Sequence, residues 1–152
     1  MKIRLLSVGR DRSGLFEPAV REYEKRLSRY VKFELVEVPE SKREGDRGRD
    51  EEADALLDKL SDRERLWLLD EHGKELDSRG LSELLARTLS EGRDLALAIG
   101  GASGHGAPIR AKAERTLSLS KLTLPHRLAR VVAAEQLYRA FTLLRGEPYH
   151  RD

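Results

Sequence analysis

Apolar positions along this chain switch repeatedly between two spacings. KIRLLSV (2–8), FELVEV (33–38), RLWLLD (65–70) and DLALAIG (94–100) are short runs rich in Leu, Val and Ile, the pattern of strands covered on both faces. LFEPAVREYEKRLSRY (15–30), EEADALLDKL (51–60) and a stretch from about Arg79 to Ser90 carry apolar residues at helical spacing. Gly9 and Pro39 end the first two strands. Charged SKREGDRGRD (41–50) reads as a mobile surface loop, and acidic EHGKELDS (71–78) as a turn. Strands separated by single helices predict an α/β fold: a mostly parallel sheet with helices on both faces, in one domain over residues 1–152 without repeat or linker.

The last third is denser. Leu117 to Leu124 alternates leucines with Ser118, Ser120 and Thr123, predicting a fifth short strand with hydroxyls free to grip a ligand. Pro125 closes it and opens a long helix. On a helical wheel Leu128, Val131, Val132, Glu135, Tyr138 and Thr142 share one face, while Leu137, Phe141 and Leu144 fill much of the other, so burial on most sides is expected. Glu135 lies within the first face with Arg139 four residues on, the favourable order for a helical ion pair. Arg139 serves either as a structural partner or in holding an anionic or polar substrate.

Composition narrows the class. The 152 residues are 39% hydrophobic and 37% charged, which fits one globular domain with a heavily charged exterior. The N-terminal MKIRLLSVG is too short and polar for a signal peptide and no apolar run is long enough to span a bilayer, so a cytoplasmic setting without membrane contact is expected. With no cysteine and four scattered histidines, thiol catalysis is excluded and no metal site is expected. Net charge is +3 over residues 1–50, −6 over 51–109 and +5 over 110–152. Basic ends around an acidic middle favour a polyanion such as RNA, although a solvated surface produces the same counts.

IGGASGHGAP (99–108) is glycine-rich and follows the fourth strand. Its glycine spacing does not match the dinucleotide fingerprint, and Gly106 is followed by Ala107 where a P-loop needs lysine. Gly100 and Gly101 would let backbone approach a flat ring or amino-acid moiety, with Pro108 opening the next helix; a plain sharp turn is the alternative. The ends of the third strand (Leu69, Asp70), the fourth (Ile99 to Gly101) and the fifth (Leu122 to Pro125) would lie side by side and form a pocket suited to an adenosine ring.

LLDEHGKELDS, LALAIGGASGHG, LSLSKLTLPHRLARVVAAEQLYRAFTLLRGEPYHRD and the N-terminal VG with EYEKRLSRY together resemble the small SPOUT-class methyltransferases of bacteria that methylate N3 of a pseudouridine in large-subunit (23S) ribosomal RNA. The resemblance implies a SPOUT-type fold with a C-terminal trefoil knot, S-adenosylmethionine bound in that knot without metal, a homodimer, and ribosomal RNA or the ribosome as partner. Carried over residue by residue, Leu69, Gly101, Ser120, Lys121, Leu122, Thr123, Leu124 and Pro125 are the cofactor-binding positions, with Gly100 their neighbour. Candidates for orienting the base or stabilising its developing charge are His126, Arg139, Tyr149, His150 and Arg151, the last three in a tail expected to reach a neighbouring subunit's pocket. His126 is equally readable as a helix-start residue bonded to backbone. A non-catalytic RNA- or ribosome-binding module would account for the charge but not for the pocket.

Overall fold

Successive side chains of a strand point to opposite faces of its sheet, and here each face has its own helices. The computed structural model describes residues 1–152. In chain order the elements are β1 (Lys2–Val8), α1 (Glu17–Leu27), β2 (Lys32–Val38), α2 (Gly45–Lys59), β3 (Glu64–Glu75), α3 (Ser78–Ser90), β4 (Asp94–Ile99), α4 (Ala107–Lys112), β5 (Arg115–Ser118) and α5 (His126–Leu144). The strands form one sheet in the order β2-β1-β4-β3-β5, parallel throughout. Ile3, Leu5, Trp67, Leu69, Leu95, Leu97, Ile99 and Leu117 pack beneath α1, α3 and α5. Leu6, Val8, Leu66, Leu68, Ala96 and Ala98 pack against Ala53 and Leu56 of α2 and Ile109 of α4.

Four local expectations change. The charged 41–50 segment is not all loop: α2 begins at Gly45, which has φ +67. Glu52 accepts a hydrogen bond from the Ser41 amide at 2.9 Å, and Gly48 is buried where a Cβ would come within 2.2 Å of the Arg43 carbonyl oxygen. Gly48, which reads as a loop residue, is thus demanded by tight packing in the first turn of the helix, and Gly45 by its positive φ at the helix start. Likewise β3 does not stop at Asp70. After a register shift it pairs with β5 again, Lys74 opposite Leu117 and Glu75 opposite Ser118. Gly73 permits this, since a Cβ there would sit 2.7 Å from the Leu117 backbone.

β5 is shorter than the Leu/Ser alternation implied, ending at Ser118. The hydroxyls that looked free bond locally instead: Ser118 Oγ donates to the Ser120 carbonyl at 2.7 Å, and Ser120 Oγ accepts from the Leu122 amide at 2.9 Å. Such bonds compete with a strand ladder and turn 119–125 into a shaped loop. Finally, the buried stripe of α5 is Ala129, Ala133, Ala134, Leu137, Tyr138, Ala140 and Phe141, whose alanines let the helix lie close to its neighbours. Leu128, Val131 and Val132 are half-buried and Leu144 is exposed, so that flank is less covered than the wheel implied.

Candidate active site

The sheet order sets the carboxyl ends of β4, β3 and β5 next to one another, the position at which open α/β sheets bind ligands. A cavity of about 700 Å³ opens there, within the range of small-molecule sites. Leu69, Gly100, Gly101, Ser120, Leu122, Thr123, Leu124 and Pro125 all line it. Lys121 does not; its side chain points to solvent, 3.7 Å from Glu75. Thr123 Oγ1 donates to Glu71 and ties the 119–125 loop to β3.

The glycines serve the loop's own closure. A Cβ on Gly100 would fall 2.7 Å from the Gly104 backbone, and one on Gly101 would meet Val8 Cγ1 at 3.2 Å and Glu52 Oε1 at 3.0 Å. Gly101 and Gly104 also pair as an isolated bridge. Both absent side chains would therefore point into protein, which favours the sharp-turn account of their identity, while their backbone still lines the cavity.

Three lining residues carry no spacing signal in the sequence: His105, Arg110 and Arg49. The break in the β3–β5 ladder after Leu69 leaves that region open, and buried His105 fills it, its Nε2 3.1 Å from the Leu69 carbonyl oxygen. Arg110 donates to the His105 carbonyl at 3.2 Å and pairs with Asp70 at 2.5 Å. Although burial opposes it, the His72 amide and Arg110 hold the Asp70 carboxyl below its ordinary pKa. The β4–α4 loop is thereby clamped to the end of β3.

Burial lowers the pKa of His105, with Arg110 acting the same way and the Leu69 carbonyl and Asp70 opposing. The unfolded chain then binds more protons than the folded one below the ordinary histidine value of about 6.5, so stability falls as pH drops through that value. His105→Gln keeps a donor for the Leu69 carbonyl without titrating. It is expected to flatten the pH dependence of the melting temperature between about pH 7 and 5 relative to wild type. Superimposable profiles for the two proteins would remove His105 from the acid response.

His126 also borders the cavity, at the start of α5. Its Nε2 is buried without a hydrogen-bond partner, 3.9 Å from Glu40 Oε1, and no bond to backbone holds the ring. Burial, then Arg127 and Arg130, lower its pKa against Glu40, keeping the imidazole neutral at pH 7. Arg139, Tyr149, His150 and Arg151 do not line this cavity. Arg139 forms the expected ion pair with Glu135 at 2.6 Å, and its Nη1 lies 3.1 Å from His150 Nδ1. The Tyr149 hydroxyl donates to Glu135 at 3.1 Å, beneath the Arg139 guanidinium 4.7 Å from the ring centroid. Asp152 completes this arrangement through Arg79 at 2.6 Å. The tail is seated on α5 and α3 of its own chain, with Arg151 exposed and unpaired.

Comparison with known proteins agrees with this geometry. The family model described as "Predicted SPOUT methyltransferase" matches residues 1–150. A protein of Anaeromyxobacter sp. (strain Fw109-5) named "Ribosomal RNA large subunit methyltransferase H" is 57% identical over 99% of this chain and 100% of its own length. Proteins of the same name are 46% identical in Alkalilimnicola ehrlichii, over 99% of each chain, and 38% in Limosilactobacillus reuteri, over 99% of this chain and 100% of the relative. Among solved structures, a "Probable Methyltransferase" of Bordetella pertussis Tohama I superposes with TM-score 0.61 over 91% of this chain and 95% of its own, at 19% identity, a likeness of fold alone. No helix is long and apolar enough to cross a membrane.

Proposed function

The chain belongs to the SPOUT methyltransferase family, and on that premise we propose that it transfers the methyl group of S-adenosylmethionine to N3 of a pseudouridine in large-subunit ribosomal RNA, on assembled ribosomes in the bacterial cytoplasm. The observation that carries the reading is the cavity at the ends of β3, β4 and β5, lined by all but one of the residues that the family likeness assigns to the cofactor. The ribosomal substrate is supported by the shared name of relatives up to 57% identical over nearly the whole chain. S-adenosylmethionine supplies a methyl group on a sulfonium, and a neutral sulfide leaves without needing an acid. The chain's work is therefore positioning and removal of the N3 proton as the nitrogen–carbon bond forms. His126 borders the cavity as a candidate for orienting the base, while its buried Nε2 faces Glu40 and is not presented to a substrate.

The reading includes a homodimer. Half-buried Leu128, Val131 and Val132, with Leu122 76% and Leu144 41% exposed, leave apolar surface that a second copy would cover. It also includes the trefoil knot. Its support is the path from β5 at one sheet edge through the 119–125 loop into α5, whose Arg127 and Arg130 reach carbonyls at the end of β1, beyond β3 and β4.

S-adenosylmethionine is expected to bind the purified protein without added metal and to raise its melting temperature. At a hundredfold excess over the dissociation constant, linkage gives about 2.7 kcal/mol, roughly 5–10 °C for a domain of this size. Calorimetry without heat, together with an unmoved melting curve, would defeat the methyltransferase reading and leave a non-catalytic RNA- or ribosome-binding module.

A further inference from the structure

We propose that the nucleotides flanking the target are held on one side of the cavity, by a cationic strip that Arg10, Arg12, Lys42 and Arg47 form along the ends of β1 and β2. The inference rests on the RNA-methyltransferase reading and says where the RNA backbone lies. Arg10 and Arg12 sit in the loop that follows β1; Lys42 follows β2, and Arg47 is in the first turn of α2. In a parallel sheet those positions share the edge on which the cavity opens, with β1 directly beside β4. Adjacent strands are about 4.8 Å apart, so the strip starts about 5 Å from the end of β4 and extends about 5 Å further at β2.

Along the carboxyl ends of β1 and β2 these four cations are exposed and make no ion pair or side-chain hydrogen bond. Neighbouring charges are otherwise engaged. Arg127 bonds the Arg10 carbonyl at 2.8 Å and Glu40 at 2.9 Å, Arg43 pairs with Glu51 at 3.5 Å, and Arg49 pairs with Asp46. Asp11 is consumed by the Ser13 hydroxyl and the Phe16 and Glu17 amides. Glu44 is the exposed carboxylate left without a partner in the strip. On the β3/β5 side of the cavity Lys121 meets Glu75 and His72 lies beside Glu71, leaving Lys74 unpaired. The free positive charge is therefore lopsided, toward β1 and β2. Free surface arginines and lysines at spacings that follow a strand edge suit a phosphate backbone, which they bind without reading sequence.

The test compares two fourfold variants of the full-length protein. One is Arg10→Ala, Arg12→Ala, Lys42→Ala and Arg47→Ala. The other, Arg63→Ala, Arg87→Ala, Arg93→Ala and Lys112→Ala, removes the same charge from exposed, unpaired residues at the opposite edge of the sheet. The probe is the assembled ribosome from cells lacking the methylation, with affinity measured across salt concentrations. Removing four phosphate contacts is expected to make the log–log salt slope shallower by about 3 and to weaken low-salt binding at least tenfold, while the control stays close to wild type. Calorimetry should give unchanged S-adenosylmethionine affinity in both, and the pairs Arg10→Ala/Arg12→Ala and Lys42→Ala/Arg47→Ala should each show about half the slope change. Equal losses in the two fourfold variants would reduce the strip to net charge and overturn it, as would an unchanged slope. A wild-type protein that binds S-adenosylmethionine but not the ribosomes would remove the RNA reading and the strip together, whereas failure to bind the cofactor would strike the methyltransferase reading alone.

Discussion

Arg130→Leu is expected to cost about 3–5 kcal/mol of stability and lower the melting temperature by on the order of 10 °C. Arg130 is 5% exposed, in the first turns of α5. Its Nη2 donates to the Val8 carbonyl at 2.7 Å and also to that of Gly9, while Nη1 reaches Glu37 at 3.3 Å. One planar guanidinium thus joins the ends of β1 and β2 to the helix that follows the cavity loop. Leucine matches much of the packing volume but leaves two buried carbonyls with no donor, and that desolvation cost dominates. Arg130→Lys keeps the charge but offers no fork, and should fall between the two. Urea denaturation showing a loss under 1 kcal/mol for Arg130→Leu would mean that water or backbone replaces the clamp without cost.

Much of the framework was legible because it depends on local pattern. Continuous apolar runs separated by amphipathic segments are what a sheet covered on both faces requires, and Leu66 to Leu69 bury alternately under α3/α5 and α2/α4 as that pattern implies. The full strand order was not legible, since an apolar run does not encode its neighbour, although the expected grouping of the third, fourth and fifth strands is the observed β4-β3-β5. Misread segments have a common origin: a residue type with two uses. Glycine signals a turn, yet Gly48 and Gly73 are present because backbone passes within 3 Å of where a Cβ would be. Serine in an apolar alternation suits a strand, yet Ser118 and Ser120 bend the chain out of one. The cofactor positions came from the family likeness rather than from periodicity. His105 had no signal of either kind, because its role depends on a carbonyl freed by a register shift 36 residues earlier in the chain.

Deleting Tyr149 to Asp152 is expected to lower methylation of ribosomes at least a hundredfold while S-adenosylmethionine affinity stays within about twofold, a loss worth about 2.7 kcal/mol or more in the barrier. The difficulty is that this tail is also a clasp. Tyr149 packs edge-on against Tyr138 at 4.7 Å and bonds Glu135; His150 meets Arg139; Asp152 meets Arg79. Magnitudes separate the two roles. The Arg79–Asp152 pair is 56% and 71% exposed, so solvent screens it and it contributes little, whereas loss of the Tyr149 edge contact costs about 1 kcal/mol. With the Tyr149 hydrogen bond to Glu135, the Arg139 guanidinium over its ring and its packing on the core added, the loss is on the order of 4 kcal/mol, and a domain stable by 5–15 kcal/mol would still be about 80% folded or more, so stability alone cannot produce a hundredfold fall. Arg151 sharpens the distinction, since it is exposed and has no partner within the chain. Arg151→Ala should leave the melting temperature unchanged and still reduce methyl transfer, through contact with RNA or with a second subunit's cavity. Melting temperature, oligomeric state by light scattering and tritiated methyl incorporation should be measured on the same samples. If the truncated protein loses activity only in proportion to its unfolded or dissociated fraction, and Arg151→Ala is fully active, the tail is a structural clasp and has no part in catalysis.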